Sequence, residues 1–253
     1  EQTDAALARL EAHRLTRSPG VHESDWVETY HDRVRDTVVA SLDSDSLVER
    51  HRSLASALMA TGASDPERLL FHTRGAGMNE AAHRHAMAAA EAATHSMAFG
   101  HAAELFEQAL ALGELQGHAT RHVLKKQAYA LVNAGRGPEA AMAYLKSTEG
   151  SGAGEALDLR RKAAQQYLSS GHIEAGLGLI KTLLSSQQIR YPATPTSALL
   201  TFLWHRLRLR LRGLNFGPRP EGHVPPELLL KIDTLWTVAT GLSTVDHIRG
   251  GAF

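Results

Sequence analysis

Ala128-Tyr-Ala-Leu-Val-Asn-Ala-Gly135-Arg-Gly-Pro-Glu-Ala140-Ala-Met-Ala-Tyr144 reads as two helices folded back on each other. Gly135 marks the turn, because glycine takes the left-handed conformation that ends a helix without a steric penalty. Ala128 and Ala140 are small residues at matched points on the two helices, and Tyr144 stands one turn beyond the second. An antiparallel helix pair needs this arrangement if its axes are to approach closely.

The same pattern occurs on either side. Ala102, Ala140 and Gly176 align as the small residue where the second helix crosses the first. Four positions on stand Phe106, Tyr144 and Ile180, and three beyond those Ala109, Ser147 and Leu183. Twelve before each anchor stand Ala90, Ala128 and Ala164, and nine before stand Ala93, Leu131 and Tyr167. The turn position holds Gly135 and Gly171 in two units and Met97 in the first. The anchors are 38 and then 36 residues apart, near the ~34-residue tetratricopeptide (TPR) period. Each such pair leaves an apolar face for the next to cover, so pairs stack. The expected fold is all-α: an α-solenoid of TPR-like helix pairs.

The N-terminal stretch differs. A helix over residues 3–13, with Leu7 and Leu10 on one face, precedes a short strand at 15–17. A turn at Ser18-Pro19-Gly20 and a second strand within 21–30 follow, then a helix over 31–42 with Val34, Val38 and Val39 at helical spacing. A helix followed by a small hairpin is the ending of a winged helix, so residues 1–45 are read as the remnant of one. Residues 46–190 hold the TPR-like repeats, and 191–253 a further helical segment.

Three local readings complete the pass. Over 46–61, Leu47, His51, Leu54, Ala55 and Leu58 share a face, and Gly62 ends the helix. Asp65-Pro66-Glu67 starts another, which ends near Gly75. The last helix is expected from Pro226 to about Ile248, with Leu229, Ile232, Leu235, Trp236 and Ala239 buried. Glu149 to Gly154 reads as a flexible connector.

Composition narrows the chemistry. The chain has 253 residues, 43% of them hydrophobic, enough for a substantial core. Lys+Arg and Asp+Glu both number 27, so no global field draws it to nucleic acid. There is no cysteine, which removes disulfides and thiolate metal sites. No apolar run reaches the ~18 residues of a membrane span, and a cytoplasmic location is expected. The start at Glu1 and the stop at Phe253 are read as cuts within a longer protein.

Catalytic patterns are missing. Gly150, Gly152 and Gly154 lack the strand and the Gly-Lys-Ser or Gly-Lys-Thr of a phosphate loop. His118 and His122 are four apart and share a helix face, but no nearby carboxylate or cysteine completes a zinc set. No Gly-x-Ser-x-Gly or His-Arg-Asp string occurs. The N-terminal helix, with Arg9, Glu11, His13 and Arg14, is too thinly basic for a DNA reader. The sharpest charge feature is Arg206, Arg208, Arg210 and Arg212, alternating with leucines. These four form a candidate basic contact face, read first as the solvated rim of a repeat helix.

Trp26-Val-Glu-Thr-Tyr-His-Asp-Arg-Val-Arg-Asp-Thr-Val-Val39 resembles the Glu-Pro-Tyr-His-Asp-Arg-Ile-Arg-Glu signature that follows the ATPase module of large bacterial signalling proteins. Thr29 stands where that family has proline. Ala102-Ala-Glu-Leu-Phe-Glu-Gln-Ala-Leu110 looks like the family's first repeat. Arg206 to Gly213, Val224-Pro-Pro-Glu-Leu228 and Val245-Asp-His-Ile-Arg-Gly250 are similar to myxobacterial-type serine/threonine kinases with a central AAA/STAND ATPase. The resemblance implies a parent that is an ATP-dependent kinase, with ATP and magnesium bound elsewhere. This region would be its regulatory arm, with no cofactor or metal of its own, and its partner a protein or another domain of the same chain. An inducer-sensing repeat domain of an ATPase-type transcription regulator is the alternative, and a cyclase or histidine kinase coupled to the ATPase a third. The purified chain is expected to release no phosphate from ATP and to transfer none to protein, as a radiolabelled-ATP assay would show.

Overall fold

The computed structural model describes residues 2–18, 27–62, 65–213, 217, 224–243 and 246–253. Its contacts separate two compact units, Glu1–Ala82 and His83–Phe253. The sequence-based division at 45/46 and 190/191 follows sequence character, whereas this one follows contacts.

In the first unit, α1 (Gln2–Ala12) leads into β1 (Thr16–Arg17), which pairs antiparallel with β2 (Glu28–Thr29). Thr16 faces Thr29 and Arg17 faces Glu28, and the latter two form an ion pair. The expected turn at Pro19-Gly20 and the strand residues Val21 to Trp26 lie outside the described residues. Helix α2 (Asp32–Ser41) buries no residue, and Val38 and Val39 stay exposed. Leu10 of α1 is exposed too. The valine and leucine faces read from spacing are therefore not core faces here.

Asp43 caps α3 (Ser44–Thr61), accepting from Ser46 N at 2.8 Å. That bond and the Ser46 hydroxyl hold its carboxyl below the usual carboxylate range. Gly62 closes the helix in the left-handed conformation. Of the five residues expected on the packed face of α3, only Ala55 is fully buried, and Leu54 is exposed. The reason lies in α4 (Pro66–Gly75), capped by Asp65. A Cβ on Gly75 would meet the His51 ring at 2.6 Å, so the two helices approach closely at this imidazole, while α4 buries Leu69, Leu70 and Thr73.

The second unit begins within α5 (Asn79–His95). It continues through α6 (Phe99–Leu112), α7 (His118–Asn133), α8 (Gly137–Lys146), α9 (Ala153–Ser169) and α10 (Ile173–Ser186). From α6 to α10 each helix packs on the next. The turns between α5 and α6, α7 and α8, and α9 and α10 are alike. Ala98 N donates to Ala93 O, Arg136 N to Leu131 O and His172 N to Tyr167 O, at 2.8–2.9 Å. Met97, Gly135 and Gly171 donate to Thr94, Val132 and Leu168. This pair of bonds satisfies carbonyls that a helix end would otherwise orphan. It needs a left-handed residue, and the three φ values are 60°, 74° and 83°. The residue after each has the same φ near −85° and ψ near 60°, at Ala98, Arg136 and His172.

Alignment and burial coincide. Ala90, Ala102, Ala109, Ala128, Ala140, Ala164 and Ile180 are completely buried, as are Phe106 and Gly176 within a few per cent. Tyr144 is half-buried. At Gly176 an added Cβ would lie 2.7 Å from Leu168. The connector at 149–154 is shorter than its glycines imply, since α9 already begins at Ala153.

The C-terminal part adds α11 (Pro195–Arg212), α12 (Pro226–Ser243) and α13 (His247–Gly250). Thr194 caps α11 in a reciprocal box with Ser197. Helix α12 packs on α9 and α10, and Val238 and Leu242 join Ala164, Leu168, Ile180, Leu183 and Leu184 in one core. Its orientation corrects the sequence reading. Leu229, Ile232 and Trp236 point outward, Trp236 with 71% exposure, while Thr234, Thr237, Val238 and Leu242 are buried. The threonines tolerate burial because each hydroxyl donates to the carbonyl four residues back, Leu230 or Asp233, at 2.8 Å.

Met97 is 77% exposed, so its side chain contributes little packing to offset the left-handed backbone. Met97→Gly is expected to raise stability by about 0.5 kcal/mol, and Gly135→Ala to lower it by about 1 kcal/mol. Urea denaturation of the two variants checks both signs.

Candidate functional site

One face of α7 carries His122, Lys125, Lys126 and Tyr129, spaced three, four and seven apart, which places them in one row. The opposite side of the helix is committed to the core through Val123, Leu124, Ala128 and Leu131. On α5, Glu91, Thr94 and His95 form a similar row, its reverse side filled by Ala86, Ala89, Ala90 and Ala93. The two rows bound a groove of about 600 Å³ with Phe106 at its base.

Charge in the groove is balanced. Lys126 pairs with Glu91 across the two helices. Lys125 reaches the other way to Glu155 of α9, at 2.7 Å. The Lys125 hydrogen bond holds the Glu155 carboxyl below its ordinary value. Such exposed pairs contribute little stability, but they fix the positions of long side chains along the groove. Tyr129 is 53% exposed and meets the Phe99 ring edge-on, with centroids 6.3 Å apart. Thr94 donates its hydroxyl to Ala90 O at 2.7 Å. The groove is thus aromatic and apolar at its base, with cations and anions along its walls.

Farther along, α9 presents Asp158, Arg161 and Lys162. Asp158 accepts from Arg161 Nη2 at 2.7 Å and from Lys162 Nζ at 2.8 Å. Arg161 Nη1 donates to Thr237 Oγ1 of α12 at 3.1 Å. Burial raises the Asp158 pKa, but the bonds from Lys162 and Arg161 outweigh it and hold the carboxyl below the usual range. These charges tie α9 to α12 and are not free for a ligand.

His118 and His122 stack with ring centroids 6.5 Å apart, and no group of three or more metal-ligating side chains occurs among the described residues. The repeat positions Ala90, Ala102, Ala128, Ala140, Ala164 and Gly176 lie in the core, where they position helices and touch no ligand. Arg206, Arg208, Arg210 and Arg212 all lie exposed on α11. The α5 and α7 rows were not singled out by sequence reasoning. The spacing of His122, Lys125, Lys126 and Tyr129 was a signal for one wall, but its pairing with Glu91, Thr94 and His95 is a product of the fold. No protein-family model matches the chain, and no curated protein matches it.

Asp158→Asn is expected to lower the melting temperature at pH 7 by an amount equivalent to about 1 kcal/mol. A carboxylate with a depressed folded pKa stabilises above its unfolded value near 3.9, and the contribution disappears as pH falls through the folded value. The difference between the two proteins should therefore shrink in acid below about pH 4, as melting curves across pH would show.

Proposed function

We propose that this chain is the non-catalytic, protein-binding arm of a larger cytoplasmic signalling protein. The parent in this reading is a serine/threonine kinase with a STAND-type ATPase module. The observation that carries the proposal is the groove between α5 and α7, with Tyr129 exposed between charged side chains. The recurring turns at Met97, Gly135 and Gly171 support a TPR-like reading of α5 to α10 as three stacked pairs of an α-solenoid. The strand pair after α1 supports reading the N-terminal stretch as the tail of a winged helix.

The mechanism is regulatory binding. A partner segment held in the groove would favour whichever state of the ATPase and kinase leaves the groove open to it, by its differential affinity for the two. Lys126 and Tyr129 are the side chains expected to carry that contact, through charge and through an aromatic face.

The coding sequence upstream is expected to encode a kinase domain and an ATPase module; a helix-turn-helix downstream instead would overturn the proposal. In the full-length protein, Lys126→Glu with Tyr129→Ala is expected to change autophosphorylation at least about three-fold, a coupling of the usual size. The melting temperature should stay within a degree or two, since Tyr129 is exposed and Lys126 is partly so. Unchanged autophosphorylation would reject the groove as the regulatory contact.

A further inference from the structure

Helix α11 has its apolar residues on the wrong side for a repeat helix. Ala198 is its one fully buried residue, and α13 is the helix it packs against. Leu200, Trp204 and Leu211 are 68%, 63% and 79% exposed, and Leu199, Leu203 and Leu207 are about half exposed. At 100° per residue these six fall within an arc of roughly 140° on the side away from Ala198, whereas Leu209, 56% exposed, lies on the Ala198 side. Arg206 and Arg210 lie at one edge of that arc and Arg208 about 40° beyond the other, while Arg212 falls nearer the Ala198 side. The helix contains no Asp or Glu. None of the four arginines has an ion-pair or hydrogen-bond partner among the described residues. A chain with zero net charge thus concentrates four arginines, with no carboxylate partner among the described residues, around one exposed leucine and tryptophan stripe.

We propose that this stripe docks on an anionic membrane surface, with α11 lying in the plane of the headgroups. Leucines on one side, a tryptophan at the edge and arginines along both flanks are the composition of an interfacial helix. The arginines would reach up to lipid phosphates, with which a guanidinium pairs bidentately, while their stems cover apolar surface. The stripe belongs to a single helix and stands outward, a shape that suits a broad surface. A second copy of the chain is disfavoured by charge, since a two-fold pairing of stripes would set arginine flank against arginine flank. No helix among the described residues is long and apolar enough to cross a membrane, so α11 would lie on the surface without spanning it.

The test is co-sedimentation of the chain with vesicles of equal parts phosphatidylglycerol and phosphatidylcholine, beside vesicles of phosphatidylcholine alone. The wild type should sediment with the anionic vesicles and not the neutral ones, and added salt should release it. The quadruple change Arg206→Gln, Arg208→Gln, Arg210→Gln and Arg212→Gln should weaken partition by about ten-fold or more. Leu203→Ser with Leu207→Ser should weaken it comparably, with circular dichroism and melting temperature unchanged. Absence of binding to anionic vesicles, or equal binding by the glutamine variant, would refute the proposal. So would tighter binding to a Glu- and Leu-rich amphipathic peptide than to the vesicles, which would assign the stripe to an acidic protein helix instead.

Discussion

Close approach between helices is the constraint on which the second unit depends. Where α6 crosses α5, α8 crosses α7 and α10 crosses α9, the crossing residues are Ala102, Ala140 and Gly176, with almost no accessible surface. A larger side chain at any of them would push the axes apart, and the bulky residues one turn on would lose their seats. Phe106 and Ile180 fill the space that close approach creates. Interiors packed this tightly penalise added volume by about 1–3 kcal/mol per substitution, so small size at the crossing is a requirement of the fold.

The helix face that remains after each pair has closed is where the chain can meet other molecules. On α7 and α9 it is polar and largely self-neutralised, with lysines bonded to carboxylates of neighbouring helices. On α11 it is apolar and flanked by arginines that have no ion-pair partner among the described residues. These surfaces differ in the solvent they favour: the first can remain in water at no cost, while the second leaves several leucines hydrated.

The repeat pattern was legible because crossing positions recur in register and only small residues fit them. Helix type and caps were legible for the same local reasons, as at Asp65-Pro66 and Gly62. Which face of an element turns inward was harder. On α12 the periodicity of Leu229, Ile232 and Trp236 predicted the buried side. Thr234 and Thr237 took that place because their hydroxyls bond to their own helix, leaving a methyl to face the core. On α11 leucine and arginine alternate, and a helical wheel assigns them to bordering arcs without saying which one meets the protein. The groove was illegible for a different reason, since Glu91 and Lys126 are brought together only by tertiary structure.

The polar contacts of α12 also act as a vernier. Gln187 Nε2 donates to Thr234 Oγ1 at 2.9 Å, and Arg161 reaches Thr237 one turn away. A core of leucine and valine alone would tolerate a slip of α12 by one helical turn, about 5.4 Å, because one methyl replaces another at little loss. A slip that carried Thr234 to the place of Thr237 would set Leu230 or Lys231 before Gln187 instead of a hydroxyl, and a buried donor without an acceptor costs about 1–3 kcal/mol. The threonines therefore act as a one-way stop on the last long helix, since a slip in the opposite sense would bring Thr237 and Thr240 to the same two donors.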